Sequence, residues 1–192
     1  MYKNFICEDE YLSKEDCKKI ISDADSLLKI KEAGIGHFNT TDEAVRTSRI
    51  GWINRLKHDE QFSWLFRRVD EYTKFCNSMH FDIDYNDTGC EAIQYTTYIG
   101  ADQGHYDYHM DHFMPGSWPD ARKLTFVIQL TDPEEYEGGE FSLRDCADPI
   151  PEHFTKQGSL LIFPSILYHA VLPVTSGTRK SLVGWYRGPT WR

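Results

Sequence analysis

Ten residues, Gly104 to Phe113 (GHYDYHMDHF), hold three histidines and two aspartates with aromatics between them. In a β-strand residues i and i+2 share a face, so His109 and Asp111 set an imidazole beside a carboxylate. One distant histidine would complete a 2-His-1-carboxylate facial triad. That set suits non-haem Fe(II), because it leaves one face of the octahedron open for substrate and O2. His169, inside GSLLIFPSILYHAVLPVTSGTRKSLVGWYRGP, is the candidate. His105 and Asp107 form a second H-x-D, and positions 105, 107, 109 and 111 share strand parity. Periodicity therefore does not choose between the pairs; spacing from Tyr98, from Tyr106 and from the strand KLTFVIQL (123–130) favours 109 and 111.

Such a metal keeps open positions, and a keto acid can fill two of them by chelation. Its far carboxylate then needs a fixed cation, and arginine serves best because its planar fork meets both oxygens. Arg179 follows His169 after the turn PVTSGT, so a strand, a turn and a return strand bring it back over the metal. Trp185 and Val183 share its strand parity and wall the same pocket, whereas Lys180 has the wrong parity. His105 and His112 read as rim histidines.

The elements that must position these groups follow from the pattern. Ser13 with Asp16 resembles a capping box, and Cys17, Ile20, Ile21, Ala24, Leu27 and Leu28 keep helical spacing, which predicts a helix from about Lys14 to Ile30. Phe62, Leu65, Phe66, Val69, Tyr72 and Cys76 predict a second, from about Asp59 to Met79, and this aromatic stripe reads as core. Between them, SRIGWI (48–53) reads as a short strand. Residues 32–46 are glycine-rich and polar without a period, and read as a surface loop that orders over the site when substrate binds. After the turn cluster DYNDTGC (84–90) the period becomes two: EAIQYTTY, KLTFVIQL, the strand after Gly138-Gly139, SLLIF, YHAVL and SLVGW all read as strands. Two helices followed by about seven short strands predict a mainly β fold with flanking helices, a jelly roll or barrel.

The chain has 192 residues, room for one domain: helical support over about 1–80 and a β core over about 84–190. Its net charge of −9 disfavours nucleic acid as a partner. No apolar run reaches membrane-spanning length and no signal peptide is evident, and the five scattered cysteines read as reduced thiols. A cytoplasmic location is expected.

Tyr98-Ile99-Gly100, Tyr106, His109, Asp111, Gly138-Gly139, Phe163-Pro164, His169, Val171, Pro173, Val174, Gly177 and Arg179 together resemble the prolyl 4-hydroxylase-like superfamily of 2-oxoglutarate- and Fe(II)-dependent dioxygenases, over about residues 93–188. The resemblance implies a double-stranded β-helix supported by two N-terminal helices. It implies His109, Asp111 and His169 as iron ligands, Arg179 as the partner of the 2-oxoglutarate carboxylate, and Tyr98 as a phenol donor to the same co-substrate. Gln129 stands where relatives often carry a second pocket tyrosine, and Trp185 is a further candidate for the co-substrate wall. Fe(II), 2-oxoglutarate, O2 and ascorbate are the implied cofactors. The implied reaction is hydroxylation of an unactivated C–H with succinate and CO2 as co-products, the presence of Asp111 favouring hydroxylation over halogenation. Peptidyl proline leads as substrate, with free amino acids or other small molecules behind it. Substrate choice falls to the loops at 32–46 and 112–122. Two other readings stand: a metal-binding cupin-like enzyme that does not use 2-oxoglutarate, and a non-catalytic jelly-roll binding module. Neither needs Arg179.

Overall fold

The computed structural model describes residues 3–34, 42–90, 92–112, 120–144 and 152–190. Helix α1 spans Lys14–Leu27, opened by the expected capping box: Ser13 Oγ accepts from the Asp16 N–H at 3.0 Å, and Asp16 Oδ2 accepts from the Ser13 N–H at 3.3 Å. Cys17, Ile20 and Ala24 form its buried stripe. The helix stops short of Ile30 because Leu28 is already extended, and Leu28 and Ile30 turn inward against the core. Helix α2 spans Asp59–Cys76 and buries Phe62, Leu65, Phe66, Val69 and Cys76. Instead of running on to Met79 it widens into a π-turn at Asn77–Phe81 and ends on Asp82 at φ 52°. There the Asn77 side chain clasps both the N–H and the C=O of Ile83.

Among the described residues twelve strands follow one another: β1 (Ile6–Glu8), β2 (Lys31–Glu32), β3 (Arg46–Thr47), β4 (Arg49–Asn54), β5 (Ala92–Ile99), β6 (His105–His109), β7 (Ala121–Gln129), β8 (Tyr136–Gly138), β9 (Phe141–Leu143), β10 (Leu160–Pro164), β11 (His169–Val171) and β12 (Val174–Gly188). The larger sheet has the order β1-β10-β7-β12-β5-β4-β2, with β8 on β12; the smaller has the order β3-β6-β11-β9. All pairings are antiparallel.

The larger sheet is covered on both faces, and strand alternation decides what meets what. On β7, Leu124, Phe126 and Ile128 pack with α1 and α2 into the main core. Thr125, Val127 and Gln129 point the other way, towards the smaller sheet. On β12, Leu182 and Tyr186 join the core, while Arg179, Ser181, Val183 and Trp185 face the space between the sheets. The architecture is mainly β. The two helices do not form an N-terminal block, because β2, β3 and β4 lie between them, and residues 6–54 contribute four strands to the sheets. The expected division into a helical first part and a β second part is therefore corrected: β1 pairs with β10, β4 with β5 and β3 with β6.

The stretch read as a surface loop, 32–46, is bounded by β2 and β3, and its last residue, Arg46, is buried. Its centre, 35–41, lies outside the described residues, as do 113–119 of the 112–122 loop.

Candidate metal centre

β6 and β11 run side by side so that His109 and His169 are direct cross-strand partners. Asp111, just beyond β6, completes a convergent set in which the three ligand atoms lie within 4.8 Å of one another. Asp111 Oδ2 is 3.4 Å from His169 Nε2, and Oδ1 is 3.7 Å from His109 Nε2. Among the described residues this is the one such group of histidine, cysteine and carboxylate side chains.

The orientation of each candidate ligand is fixed from behind. His109 Nδ1 meets the Asp107 carbonyl at 2.8 Å and His169 Nδ1 meets the Leu167 carbonyl at 2.9 Å. With a proton on each Nδ1, both Nε2 lone pairs face the centre. Asp111 Oδ2 accepts from Thr125 Oγ1 at 2.9 Å, and Thr125 Oγ1 is 2.9 Å from Ser165 Oγ. The backbone N–H of Asp111 also donates to the Ser165 carbonyl. Phe141 stacks on His169 and Phe163 meets its edge. Burial, aided by the neighbouring His169, pushes the His109 imidazole down to about 4, so it is neutral and able to ligate at pH 7. Burial alone would raise the Asp111 carboxyl, but His169, His109 and Arg122 outweigh it and hold the group below its ordinary value.

The second H-x-D is not part of this set. Asp107 is exposed, and His105 Nδ1 is engaged by the Gln103 carbonyl at 2.9 Å. The reason is a break in parity. Opposite β11, His169 pairs with His109 but Val171 pairs with Tyr106, so two steps on one strand face three on the other. This β-bulge brings Tyr106 and His109 together, their rings stacked 3.5 Å apart. The expected common face of 105, 107, 109 and 111 does not survive it.

A pocket of about 440 Å³ lies beside the three candidate ligands. Arg179 is 2% exposed, pairs across the sheet with Tyr98, and sets its guanidinium carbon 5.6 Å from the Tyr98 ring. Its Nη1 is buried and has no hydrogen-bond partner. Gly139 makes room for it: at φ +70°, a Cβ there would come within 2.8 Å of the Arg179 Cδ. Burial raises the Tyr98 phenol against the pull of Arg46 and Arg179, so it stays protonated as a donor. Trp185 lines the pocket with Trp52 against it at 6.0 Å and Arg122 over its ring at 3.6 Å. Gln129 sits elsewhere: it lines a smaller cavity behind Arg179, where its Nε2 donates to Tyr136 Oη at 2.9 Å and its Oε1 is buried unpartnered.

Sequence reasoning missed two pocket arginines. Arg46 hides in a stretch without period, and Arg122 at the end of a loop. Arg122 reaches 3.9 Å from Asp111 Oδ1, and burial lowers it to about 10, leaving it charged at neutral pH. An arginine immediately before KLTFVIQL was the available signal.

Two imidazole nitrogens and one carboxylate, buried beside an open cavity, fit a divalent metal with vacant positions. The model of the 2OG-Fe(II) oxygenase superfamily matches residues 93–187, which span all three ligands, Tyr98 and Arg179. The chain belongs to the 2OG-Fe(II) oxygenase superfamily. A PKHD-type hydroxylase from Synechococcus sp. (strain CC9311) is 40% identical over 84 residues, 43% of this chain and 36% of that protein. The match thus spans little more than a third of that relative's length. A prolyl-4-hydroxylase from Pseudomonas putida superposes with a TM-score of 0.70 at 20% identity, covering 98% of this chain and 94% of that one. A prolyl hydroxylase from Trichoplax adhaerens, solved with a hypoxia inducible factor oxygen degradation domain peptide, gives 0.73 at 20% identity, covering 96% and 83%. The fold is that of these hydroxylases.

Proposed function

We propose that the chain is one Fe(II)- and 2-oxoglutarate-dependent dioxygenase domain, a double-stranded β-helix whose two helices brace the larger sheet, that hydroxylates an unactivated C–H and releases succinate and CO2. The observation that carries this is Arg179. A guanidinium that is 2% exposed, with Nη1 unpartnered and no carboxylate in salt-bridge range among the described residues, costs several kcal/mol unless an anion meets it. It lines the same pocket as the three candidate ligands. The far carboxylate of a dicarboxylic keto acid fits that need, and neither a hydrolase nor a binding module has it.

In this reading His109, Asp111 and His169 hold the metal, which when bound supplies the O2 activation that the reaction requires. The Asp107 and Leu167 carbonyls keep the two imidazoles aimed. Thr125 holds the carboxylate, and Arg179 and the Tyr98 phenol bind and orient the keto acid. Trp185, Trp52 and Val183 narrow the pocket's access to water. Gln129 acts one step back, by holding the Tyr136 phenol beside the Arg179 cavity. The substrate is a peptide or a small molecule, proline being the first residue to test. The free thiols of Cys7, Cys17, Cys76 and Cys90 accord with a reducing, cytoplasmic setting.

The test is 2-oxoglutarate affinity with Mn(II) standing in for Fe(II). Losing one partner of a buried charged pair costs about 2–5 kcal/mol, so Arg179→Ala should weaken 2-oxoglutarate by roughly thirtyfold or more with Mn(II) affinity nearly unchanged. Arg179→Lys should recover only part, because a point charge does not reproduce the fork. Wild-type 2-oxoglutarate affinity in Arg179→Ala would overturn the assignment.

A further inference from the structure

The pocket reverses the charge of the protein that contains it. The chain carries a net charge of −9, yet Lys31, Arg46, Arg122 and Arg179 line the pocket and Asp111 is the one carboxylate among the described residues that does. The dioxygenase reading accounts for part of this, and the role of Arg46 depends on that reading. A divalent metal is balanced by Asp111 and one keto-acid carboxylate, and Arg179 by the other. Of the remaining cations, Lys31 is exposed to solvent and Arg122 lies 3.9 Å from Asp111 Oδ1, whereas Arg46 is buried with no carboxylate in salt-bridge range among the described residues.

Its surroundings are built. Arg46 lies on β3 directly opposite Tyr106 of β6, and is 7% exposed. Its Nε donates to Ser48 Oγ at 2.8 Å, which fixes the plane of the guanidinium, and its Cζ rests 4.3 Å over the Tyr106 ring. Tyr106 in turn stacks on His109. The far nitrogen, Nη2, is buried with no hydrogen-bond partner, and no carboxylate lies in salt-bridge range among the described residues. The undescribed stretch just before it, 35–41 (IGHFNTT), contains no acidic residue. A buried cation, held in plane and left with an unused donor beside the metal ligands, is a receptor for an anion. The anion must be close to the reacting C–H, since only Tyr106 separates Arg46 from His109. The pocket of about 440 Å³ must also admit the keto acid, which limits what else enters to about one residue.

We propose that Arg46 determines specificity by binding a main-chain carboxylate of the substrate, so that the hydroxylated residue is a free amino acid or the C-terminal residue of a peptide.

The experiment uses the full chain with Fe(II), 2-oxoglutarate and ascorbate, and reads succinate release above the level without substrate. One arm supplies the free L-amino acids and their amides; the other supplies acetylated Gly-Gly-X peptides as acids and as amides. For whichever residue is taken, the acid should outperform its amide by about thirtyfold or more in kcat/KM, the effect of one buried charged partner. The arm that responds tells a free amino acid from a C-terminal one. Arg46→Gln should collapse the acid-to-amide ratio towards one, and Arg46→Lys should restore part of it, while 2-oxoglutarate affinity measured with Mn(II) stays within about twofold. Equal turnover of acid and amide, or no stimulation by any acid, overturns the inference. So does Arg46→Gln weakening 2-oxoglutarate, which would make Arg46 a co-substrate residue, or lowering Tm alone with the ratio intact, which would make it a brace between β3 and β6. Failure of the dioxygenase reading is distinct: wild type would then show neither 2-oxoglutarate binding nor iron-dependent succinate release in the absence of substrate.

Discussion

Thr125→Val isolates how the metal centre is held. Valine has the shape of threonine without the hydroxyl, and residue 125 is fully buried in the middle of β7, so the backbone and the packing should stay in place. What disappears is the 2.9 Å donation from Thr125 Oγ1 to Asp111 Oδ2, and with it the contact from Thr125 to Ser165 Oγ. A hydrogen bond to a buried charge contributes about 1.5–3 kcal/mol, and groups of this kind behind a ligand typically affect metal affinity by about ten- to a hundredfold. Both routes give the same expectation: Mn(II) affinity by calorimetry should fall by about ten- to a hundredfold, with circular dichroism unchanged. Ser165→Ala alone should do less, because the Asp111 N–H is bound by the Ser165 main-chain carbonyl, which the substitution keeps. The double variant should not be additive, since the two hydroxyls form one chain. A folded Thr125→Val protein with Mn(II) affinity within about twofold of wild type would refute the reasoning and place the aim of Asp111 in its backbone alone.

Other outcomes are expected from the same geometry. His109→Ala should abolish Mn(II) binding and His105→Ala should spare it; the reverse result would mean the bulge in β6 is misplaced. Burial holds the thiols of Cys17 and Cys90 up at about 12 and that of Cys76 at about 11, so iodoacetamide at pH 8 should label them only after unfolding. Because these pKa values are raised on folding, the native state keeps protons the unfolded state loses, and stability should fall as pH climbs from about 9 towards about 12; a flat alkaline profile would contradict this. Arg179→Met replaces a buried cation by an apolar chain, and should raise the Tm of the ligand-free protein while abolishing 2-oxoglutarate binding.

The parts of the site that were legible in the sequence are those that obey strand parity. On β12, Arg179, Val183 and Trp185 do share the pocket face, and on β7 the alternation of Leu124, Phe126 and Ile128 against Thr125, Val127 and Gln129 separates core from cavity. Helix existence was legible for the same reason, from a repeating apolar stripe. What failed was wherever the period is interrupted. The bulge in β6 inserts a residue between Tyr106 and His109, and no residue type announces it. The end of α1 is set by Leu28 and Ile30 reaching the core as extended chain, a tertiary effect. Arg46 was lost because a two-residue strand has no period to detect, and its burial comes from β6 alongside.

Net charge, which bears on nucleic acid as a partner, carries no information about the sign of the pocket. It summarises the surface, where most of the acids lie, whereas recognition takes place in a cavity whose sign is set by a few buried groups. Three residues with buried, unpartnered polar atoms, Arg46, Gln129 and Arg179, line that cavity or the smaller one behind it. Elsewhere in the described protein nearly every buried donor is met, as native folds require. Leaving guanidinium nitrogens unmatched costs stability, and a sequence selected for stability alone would replace them with apolar chains. On the dioxygenase reading these nitrogens are met from outside the fold, at Arg179, where Gly139 at φ +70° leaves the side chain room, by the keto-acid carboxylate, and at Arg46 by the substrate carboxylate proposed above.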